Sequence, residues 1–278
     1  MGTFFSDVEL KGNIDMALMN IECFSECLMR RITFKVILPN DANKKDNKNY
    51  DRPTKLLMLL HGYCCTDTDW IWNSQITCLA EKYNICVVLP NGENSFYLDG
   101  KATGRKYSTL VGEELPNYVI NTFGLSKDKK DHYIGGFSMG GFGAIHAGIK
   151  YDKMYSKLFA LSSALIPYEL VDMQPGTHNG VANYEYFDLM FDGLDVLKES
   201  ENHPEILVRN HLEKNIELPE IYMACGTEDF LLDFNRRFEN FLTSNDVKHT
   251  YVEDSGSHDY GFWNKVIEPS VEWLLKDN

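Results

Sequence analysis

Short, continuous apolar runs recur along the chain, and they alternate with stretches whose apolar residues have helical spacing. Runs of this length are typical of strands that are buried on both faces of a parallel sheet. Strands are predicted at residues 56–60, 85–89, 131–137, 157–165, 219–225 and 247–252. Helices are predicted at residues 73–83, 109–123, 139–150, 230–244 and 260–276, the second of them despite Pro116. This alternation predicts an α/β fold in which helices cover both faces of a mostly parallel sheet.

Three segments depart from the alternation. Residues 1–15 are predicted to form an irregular arm, and residues 16–38 contain two strand-like runs that we expect to pair antiparallel at a sheet edge. The polar stretch 40–53 is predicted to be an exposed loop. Residues 166–217 mix polar, aromatic and turn residues, which predicts a partly helical insertion over the sheet. Since no linker or repeat divides the chain, we expect one domain over residues 1–278, with this insertion as a lid.

The charge balance narrows the classes of partner. The 278 residues carry a formal net charge of −14, whereas nucleic-acid and anionic-membrane surfaces require clustered lysine and arginine. We therefore expect a small-molecule substrate and neither of those partners. No apolar run approaches the ~20 residues that span a bilayer, and the N-terminal residues lack the features of a secretory signal. These observations predict a cytoplasmic protein, and they leave a homo-oligomer open.

The cysteines and histidines support the same location and suggest no metal site. The seven cysteines are odd in number, Cys86 and Cys225 fall within predicted strands, and no C-x-x-C pattern occurs. Free thiols are therefore predicted rather than disulfides. The eight histidines form no H-x-H or H-E-x-x-H cluster, so no metal is expected.

One glycine-rich stretch carries a chemical signal. Gly136-Phe137-Ser138-Met139-Gly140 is a G-x-S-x-G pattern, and it lies between a predicted strand and a predicted helix. In that position the pattern marks a sharp turn that exposes a serine hydroxyl above the sheet. An ordinary glycine-rich loop is the alternative interpretation. A phosphate-binding loop is disfavoured, because no Lys-Ser or Lys-Thr follows the glycines.

Other polar residues follow the predicted strands at the edge where Ser138 would lie. Asp229 comes after strand 219–225, and His258 comes after the last strand. The order serine, aspartate, histidine is the order of a hydrolase triad on a parallel sheet. Ser138 needs a base to become a nucleophile, His258 can accept and return a proton near neutral pH, and Asp229 would orient the imidazole.

The same edge could stabilise a negatively charged oxygen. Met139 follows the nucleophile directly, and Tyr63 follows the strand at residues 56–60. We expect their backbone N–H groups to form the oxyanion hole. His61 is expected to shape this turn rather than to act as a second base. Cys64 and Cys65 are conceivable thiol nucleophiles, but neither lies in a strained turn of the kind predicted at the serine.

The orienting acid has rivals. Glu228 precedes Asp229 directly and is a plausible alternative. Asp254 and Asp259 are also candidates, although both are too near His258 along the chain to reach it from a neighbouring strand.

Four motifs together resemble a known family. They are LLHGYCCTDTDW at 59–70, GGFSMGGFGA at 135–144, CGTEDFLL at 225–232 and GSHDYGFWN at 256–264. From Ala17 to the C-terminus the chain resembles the putative-esterase family, which includes tributyrin esterases, S-formylglutathione hydrolases, and acetylxylan and feruloyl esterases of carbohydrate esterase family one. Its motifs are most similar to bacterial tributyrin and acetyl esterases. The resemblance implies an α/β-hydrolase fold, no cofactor, and the triad and oxyanion hole described above.

The function implied is that of a serine carboxylesterase that hydrolyses acetyl or butyryl esters, with acetylated or feruloylated plant sugars among its candidate substrates. Three alternatives remain: an S-formylglutathione thioester hydrolase, an acyltransferase, and a non-catalytic interaction module with the same fold. The insertion matches no family motif between residues 171 and 215. The aromatic residues that could line the acyl pocket, or pack in the core instead, are Trp70, Tyr186 and Phe191.

Overall fold

The computed structural model describes residues 17–40 and 47–276. Within these residues eight strands form one sheet in the order β1-β2-β4-β3-β5-β6-β7-β8. The strands are β1 Ala17–Ser25, β2 Arg30–Leu38, β3 Lys55–Leu60, β4 Ile85–Pro90, β5 His132–Phe137, β6 Lys157–Leu161, β7 Glu220–Gly226 and β8 His249–Asp254. β2 pairs antiparallel with both β1 and β4, and the other neighbours are parallel. The prediction of a mostly parallel sheet with an antiparallel pair at its edge is confirmed.

Helices pack on both faces of the sheet and so form two hydrophobic layers. They are α1 Asp69–Asn73, α2 Ile76–Tyr83, α3 Tyr107–Thr109, α4 Leu115–Phe123, α5 Met139–Lys150, α6 Pro167–Leu170, α7 Tyr184–Phe191, α8 Pro204–Glu213, α9 Leu232–Ser244 and α10 Tyr260–Leu275. Leu56, Met58 and Leu60 of β3 face one layer, whereas Leu57 and Leu59 face the other. Because successive strand side chains point to opposite faces, burial of both faces requires the continuous apolar run seen in the sequence.

Element boundaries differ from the prediction where backbone geometry intervenes. The helix predicted over 109–123 is α4 preceded by a π-helical turn at Leu110–Glu114. Pro116 lies at the start of α4, where its missing N–H costs little. The strand predicted over 157–165 ends at Leu161, because Ser162 adopts a φ of 46° and turns the chain.

The three irregular segments have different outcomes. The arm predicted at residues 1–15 lies outside the described residues, as do residues 41–46 of the predicted loop. The end of that loop forms a short 3₁₀ turn at Lys48–Asp51. The insertion is partly helical as expected and contains α6, α7 and α8. It joins the core through Phe187, whose ring contacts Phe96.

Parallel strands bring their carboxyl ends to one edge of the sheet, which is where loops with chemical function collect. The loops after β3, β5, β7 and β8 all lie at this edge, since these strands run in the same direction. In the described part of the chain, no helix is long and apolar enough to cross a membrane.

Candidate active site

Ser138 lies on a strained turn between β5 and α5. Its backbone has φ 55° and ψ −121°, a conformation that residues with a side chain rarely adopt. The glycines on either side leave no room for a Cβ. A Cβ on Gly136 would lie 2.5 Å from the carbonyl carbon of Gly140, and one on Gly140 would overlap the carbonyl oxygen of Leu60. The G-x-S-x-G pattern therefore has a steric cause in this fold.

The strain at Ser138 predicts a gain in stability on replacement by glycine. Ser138→Ala keeps the positive φ, whereas Ser138→Gly relieves it, and both lose the hydroxyl. We expect Ser138→Gly to have a free energy of unfolding about 1 kcal/mol higher than Ser138→Ala. Urea unfolding of the two variants measures this difference. If the glycine variant is equally stable or less stable, the turn stores no strain.

A chain of hydrogen bonds connects the serine, the histidine and the aspartate named from the sequence. The Nε2 atom of His258 lies 2.9 Å from the Oγ atom of Ser138. Its Nδ1 atom lies 2.9 Å and 3.1 Å from the two carboxylate oxygens of Asp229. A carboxylate only accepts hydrogen bonds, so the proton belongs on Nδ1 and leaves Nε2 free to accept from the serine hydroxyl. The side chain of Asp229 is fully buried and that of His258 is 18% exposed.

The environment of Asp229 favours its charged form. Burial by itself raises the pKa of this carboxyl, but the hydrogen bonds from His258, the N–H of Leu231 and Ser162 outweigh that effect and hold the pKa below its usual value. Asp229 is therefore ionised at neutral pH, as an acid that stabilises an imidazolium must be.

The rival acids have other partners. Glu228 is exposed, and it accepts hydrogen bonds from the N–H of Gly256 and the hydroxyl of Thr227. Asp254 pairs with Lys265. Asp259 accepts from the N–H of Phe262 and caps the start of α10. The structure thus brings Asp229, and none of these three carboxylates, to His258.

Two backbone N–H groups are candidates to stabilise a negatively charged oxygen. Met139 is the first residue of α5, so its N–H has no partner within the helix. Tyr63 lies on the loop that follows β3. Within the described part of the chain, neither N–H donates to another protein group. A free N–H at a helix N-terminus, such as that of Met139, suits a negatively charged oxygen, and the unpaired N–H of Tyr63 could add a second donor.

His61 holds the loop that carries Tyr63. Its Nδ1 atom donates to the carbonyl of Gly62 over 2.8 Å, and its Nε2 atom accepts from the N–H of Gly92 over 2.9 Å. Burial lowers the pKa of His61, although the carbonyl of Gly62 acts in the opposite direction. Because both nitrogens are engaged and the ring is 1% exposed, His61 shapes the loop and is not available as a second base.

The two cysteines beside this loop are poorly suited to nucleophilic attack. Burial, followed by the charge of Asp69, raises the pKa of Cys65 to about 12, so its thiol stays protonated. Cys64 is exposed, and its backbone N–H donates to the side chain of Asn94. Neither cysteine forms a hydrogen bond with a histidine in the described residues.

Two of the three residues considered for the substrate pocket lie in the core, which corrects that expectation. Trp70 is 1% exposed, and its indole N–H donates to the carbonyl of Leu60. Phe191 is completely buried against Phe96 and Phe142. Side chains enclosed in this way present no surface to a molecule that arrives from solvent.

Tyr186, the third of these residues, lines an open cavity of about 360 Å³. Other residues of its wall are Arg30, Glu93, Asn94, Arg105 and Tyr107. The hydroxyl of Tyr186 donates to the carbonyl of Asn94, and its ring centroid lies 5.9 Å from that of Tyr63. This cavity therefore adjoins the loop that carries one of the candidate oxyanion donors.

Two residues of the site were missed in the sequence. Ser162 hydrogen-bonds to Asp229, and it also accepts from the indole N–H of Trp263 over 3.1 Å. Phe230 is 69% exposed, and its ring centroid lies 4.7 Å from that of His258. The position of Phe230 directly after Asp229 was the available signal.

No group of three or more histidine, cysteine, aspartate or glutamate residues in the described part of the chain could hold a metal ion. The hydrogen-bonded chain of Ser138, His258 and Asp229 would allow a histidine to take a proton from a serine hydroxyl and to return it. Its geometry suits acyl transfer by a serine nucleophile.

Comparisons with known proteins point to the same chemistry. The family model described as "Putative esterase" matches residues 25–273. An acetyl esterase of Caldicellulosiruptor saccharolyticus is 39% identical over 263 residues, which cover 94% of this chain and 99% of that protein. The structure is similar to fluorophosphonate-binding serine hydrolase F of Staphylococcus aureus, with a TM-score of 0.81 and 26% identity over 94% of this chain and 99% of that one. It is also similar to an S-formylglutathione hydrolase of S. aureus, with a TM-score of 0.79, 26% identity and the same shares covered.

Proposed function

Because the chain belongs to the family described as "Putative esterase", has the α/β-hydrolase fold and is a serine carboxylic ester hydrolase, we propose that it cleaves short-chain acyl esters with Ser138 as the nucleophile. The observation that carries this proposal is the continuous hydrogen-bond chain from Ser138 through His258 to Asp229. His258 would act as general base and acid, and Asp229 would orient it.

In the first half of the proposed reaction, the Oγ atom of Ser138 attacks the ester carbonyl while its proton passes to Nε2 of His258. The carbonyl oxygen becomes negatively charged and would accept hydrogen bonds from the N–H groups of Met139 and Tyr63. His258 then gives its proton to the alcohol oxygen, the carbon–oxygen bond breaks, and the acyl group remains on Ser138.

In the second half, water takes the place of the alcohol. Nε2 of His258 accepts a proton from the water, whose oxygen attacks the acyl carbonyl, and the same two N–H groups would stabilise the oxyanion. Collapse of this intermediate returns the proton to Ser138 and releases the carboxylic acid. A single oxyanion donor contributes on the order of 100-fold or more to such a rate.

The size of the acyl group is proposed from similarity, since the curated relative at 39% identity is an acetyl esterase. We expect kcat/KM for p-nitrophenyl acetate and butyrate to exceed that for the octanoate, and a serine-directed phosphonate to abolish turnover as it labels Ser138. Burst kinetics and mass spectrometry of the labelled peptide test both statements. Octanoate as the best substrate would refute the short-chain preference, and labelling of another residue would refute the assignment of the nucleophile.

The S-formylglutathione thioester is the second candidate substrate, supported by the similarity to the S. aureus hydrolase. The two substrates can be separated by measuring kcat/KM for S-formylglutathione and for p-nitrophenyl acetate on the same preparation. A constant that is tenfold or more higher for the thioester, on the order of 1.4 kcal/mol of transition-state preference, would make the thioester the better assignment.

The organisation of the chain is part of the same proposal. We propose one α/β-hydrolase domain over residues 1–278, with residues 166–217 as an insertion that borders the site. A cytoplasmic location is supported by the seven cysteines, all of which are free thiols in the structure. We propose a small-molecule ester as the partner, and neither nucleic acid nor a membrane surface.

A further inference from the structure

Phe230 is an exposed aromatic residue, and its two neighbours in sequence are buried. Its side chain follows Asp229 at the carboxyl end of β7 and is 69% exposed, whereas Asp229 is 5% and Leu231 is 3% exposed. Among the described residues, His258 is the aromatic ring that contacts it, with the two centroids 4.7 Å apart. Since most of its surface stays in solvent, Phe230 contributes little to the core.

The backbone around Phe230 is fixed by hydrogen bonds. The N–H of Asp229 donates to the carbonyl of Gly226 over 3.1 Å, and the N–H of Leu231 donates to the Asp229 carboxylate over 2.9 Å. The N–H of Leu232 donates to the carbonyl of Asp229 over 3.1 Å. The backbone that carries the ring is therefore held in place, so a ligand that stacks on Phe230 has to order only the side-chain torsions.

The chemistry of the proposed reaction places one part of the substrate next to this ring. The alcohol oxygen must come within about 2.6–3.2 Å of Nε2 of His258 to take its proton. The alcohol part of the ester therefore lies beside the imidazole, on which Phe230 packs. Trp263 also contacts the imidazole, and its ring lies nearly perpendicular to it with the two centroids 5.2 Å apart.

Resting on the proposed function, we infer that Phe230 forms a subsite for the leaving alcohol and that this subsite selects alcohols with a flat, apolar ring face. Phenols and pyranose sugars both have such a face, and both stack on exposed aromatic side chains. Phe230 would thus determine the specificity for the alcohol part of the ester.

The test compares three acetate esters that form the same acetyl-enzyme: phenyl acetate, an acetylated methyl xyloside and ethyl acetate. For each of the two esters of ring alcohols, the measured quantity is the ratio of its kcat/KM to the kcat/KM for ethyl acetate. We expect Phe230→Ala to lower both ratios by about tenfold, because stacking and apolar burial are lost. Phe230→Tyr keeps the ring and should keep both ratios. Phe230→Leu keeps apolar bulk without a flat face, so its ratios should resemble those of the alanine variant.

A matched control is available at the far end of the sheet. Phe24 on β1 is 60% exposed, and β1 lies at the opposite edge from β7 and β8. Phe24→Ala removes a similarly exposed aromatic side chain and should change neither ratio. A fall in both ratios with this variant would overturn the inference, because it would show a general effect of surface aromatic residues.

Other outcomes separate the subsite from the proposed function. An equal fall for all three esters in Phe230→Ala would mean that the ring acts through His258, which overturns the inference. Unchanged ratios, with active wild-type enzyme that a serine-directed phosphonate labels, would also overturn it while leaving the proposed function intact. Absence of turnover and of labelling in the wild-type enzyme would instead refute the proposed function.

Discussion

Ser138→Ala is expected to lower kcat for p-nitrophenyl acetate on the order of 10⁵-fold, leaving only the activity that the oxyanion donors can supply. The alanine side chain cannot form the acyl-enzyme. The fold should remain intact, because alanine takes the place of the serine without a steric change and Gly136 and Gly140 are untouched. Steady-state rates, together with circular dichroism and urea unfolding of the variant, measure these two expectations.

Ser257 offers a matched control for this variant. It is an exposed serine directly before His258, and its hydroxyl makes no hydrogen bond to another described residue. Ser257→Ala should therefore retain activity and labelling by the phosphonate. Substantial hydrolysis by a folded Ser138→Ala variant would show that another residue is the nucleophile.

Asp229→Asn is expected to lower kcat about 10⁴-fold. An asparagine can offer its amide group to Nδ1 of His258 and so favour the tautomer that carries the proton on Nε2, which cannot accept a proton from Ser138. It also removes the buried negative charge that stabilises the imidazolium. Measurement of kcat and KM should show the loss in kcat, because substrate does not contact this side chain.

Glu228→Gln is the control, since the two acids are neighbours in sequence and differ in their partners. Glu228 is exposed and bonded to Gly256 and Thr227, so its replacement removes only a hydrogen bond to a charged group. We expect less than about a tenfold loss of kcat. If Glu228→Gln lost as much activity as Asp229→Asn, the orienting acid would have to be assigned again.

Much of the fold could be predicted from local pattern. The run at Leu56–Leu60 is apolar at every position, and only a strand covered on both faces requires that. The run around Ile32 and Phe34 alternates, and it forms β2, which pairs antiparallel with the edge strand β1. Boundaries were less accurate where a single residue changed the backbone, as Ser162 does at the end of β6.

The candidate site divides in the same way. Strand order and the position of Ser138, Asp229 and His258 after their strands predicted that these residues would lie at one edge. Asp229 was named from chain order and from the family resemblance, but the local pattern could not exclude Glu228, because adjacent residues on a turn point in different directions. Trp70 and Phe191 looked like pocket residues because an aromatic side chain has the same sequence signal in a core as on a surface.

By itself, the sequence determined the α/β alternation, the strained turn at Ser138 and the set of residues able to perform acyl transfer. These features depend on local requirements, namely the side-chain period of a buried strand and the steric need for glycine around the nucleophile. Only the tertiary structure decided which carboxylate reaches His258, which aromatic residues are enclosed, and that Phe230 lies exposed beside the imidazole. Those outcomes depend on contacts between segments far apart in the chain, and a local pattern carries no information about which segment covers which.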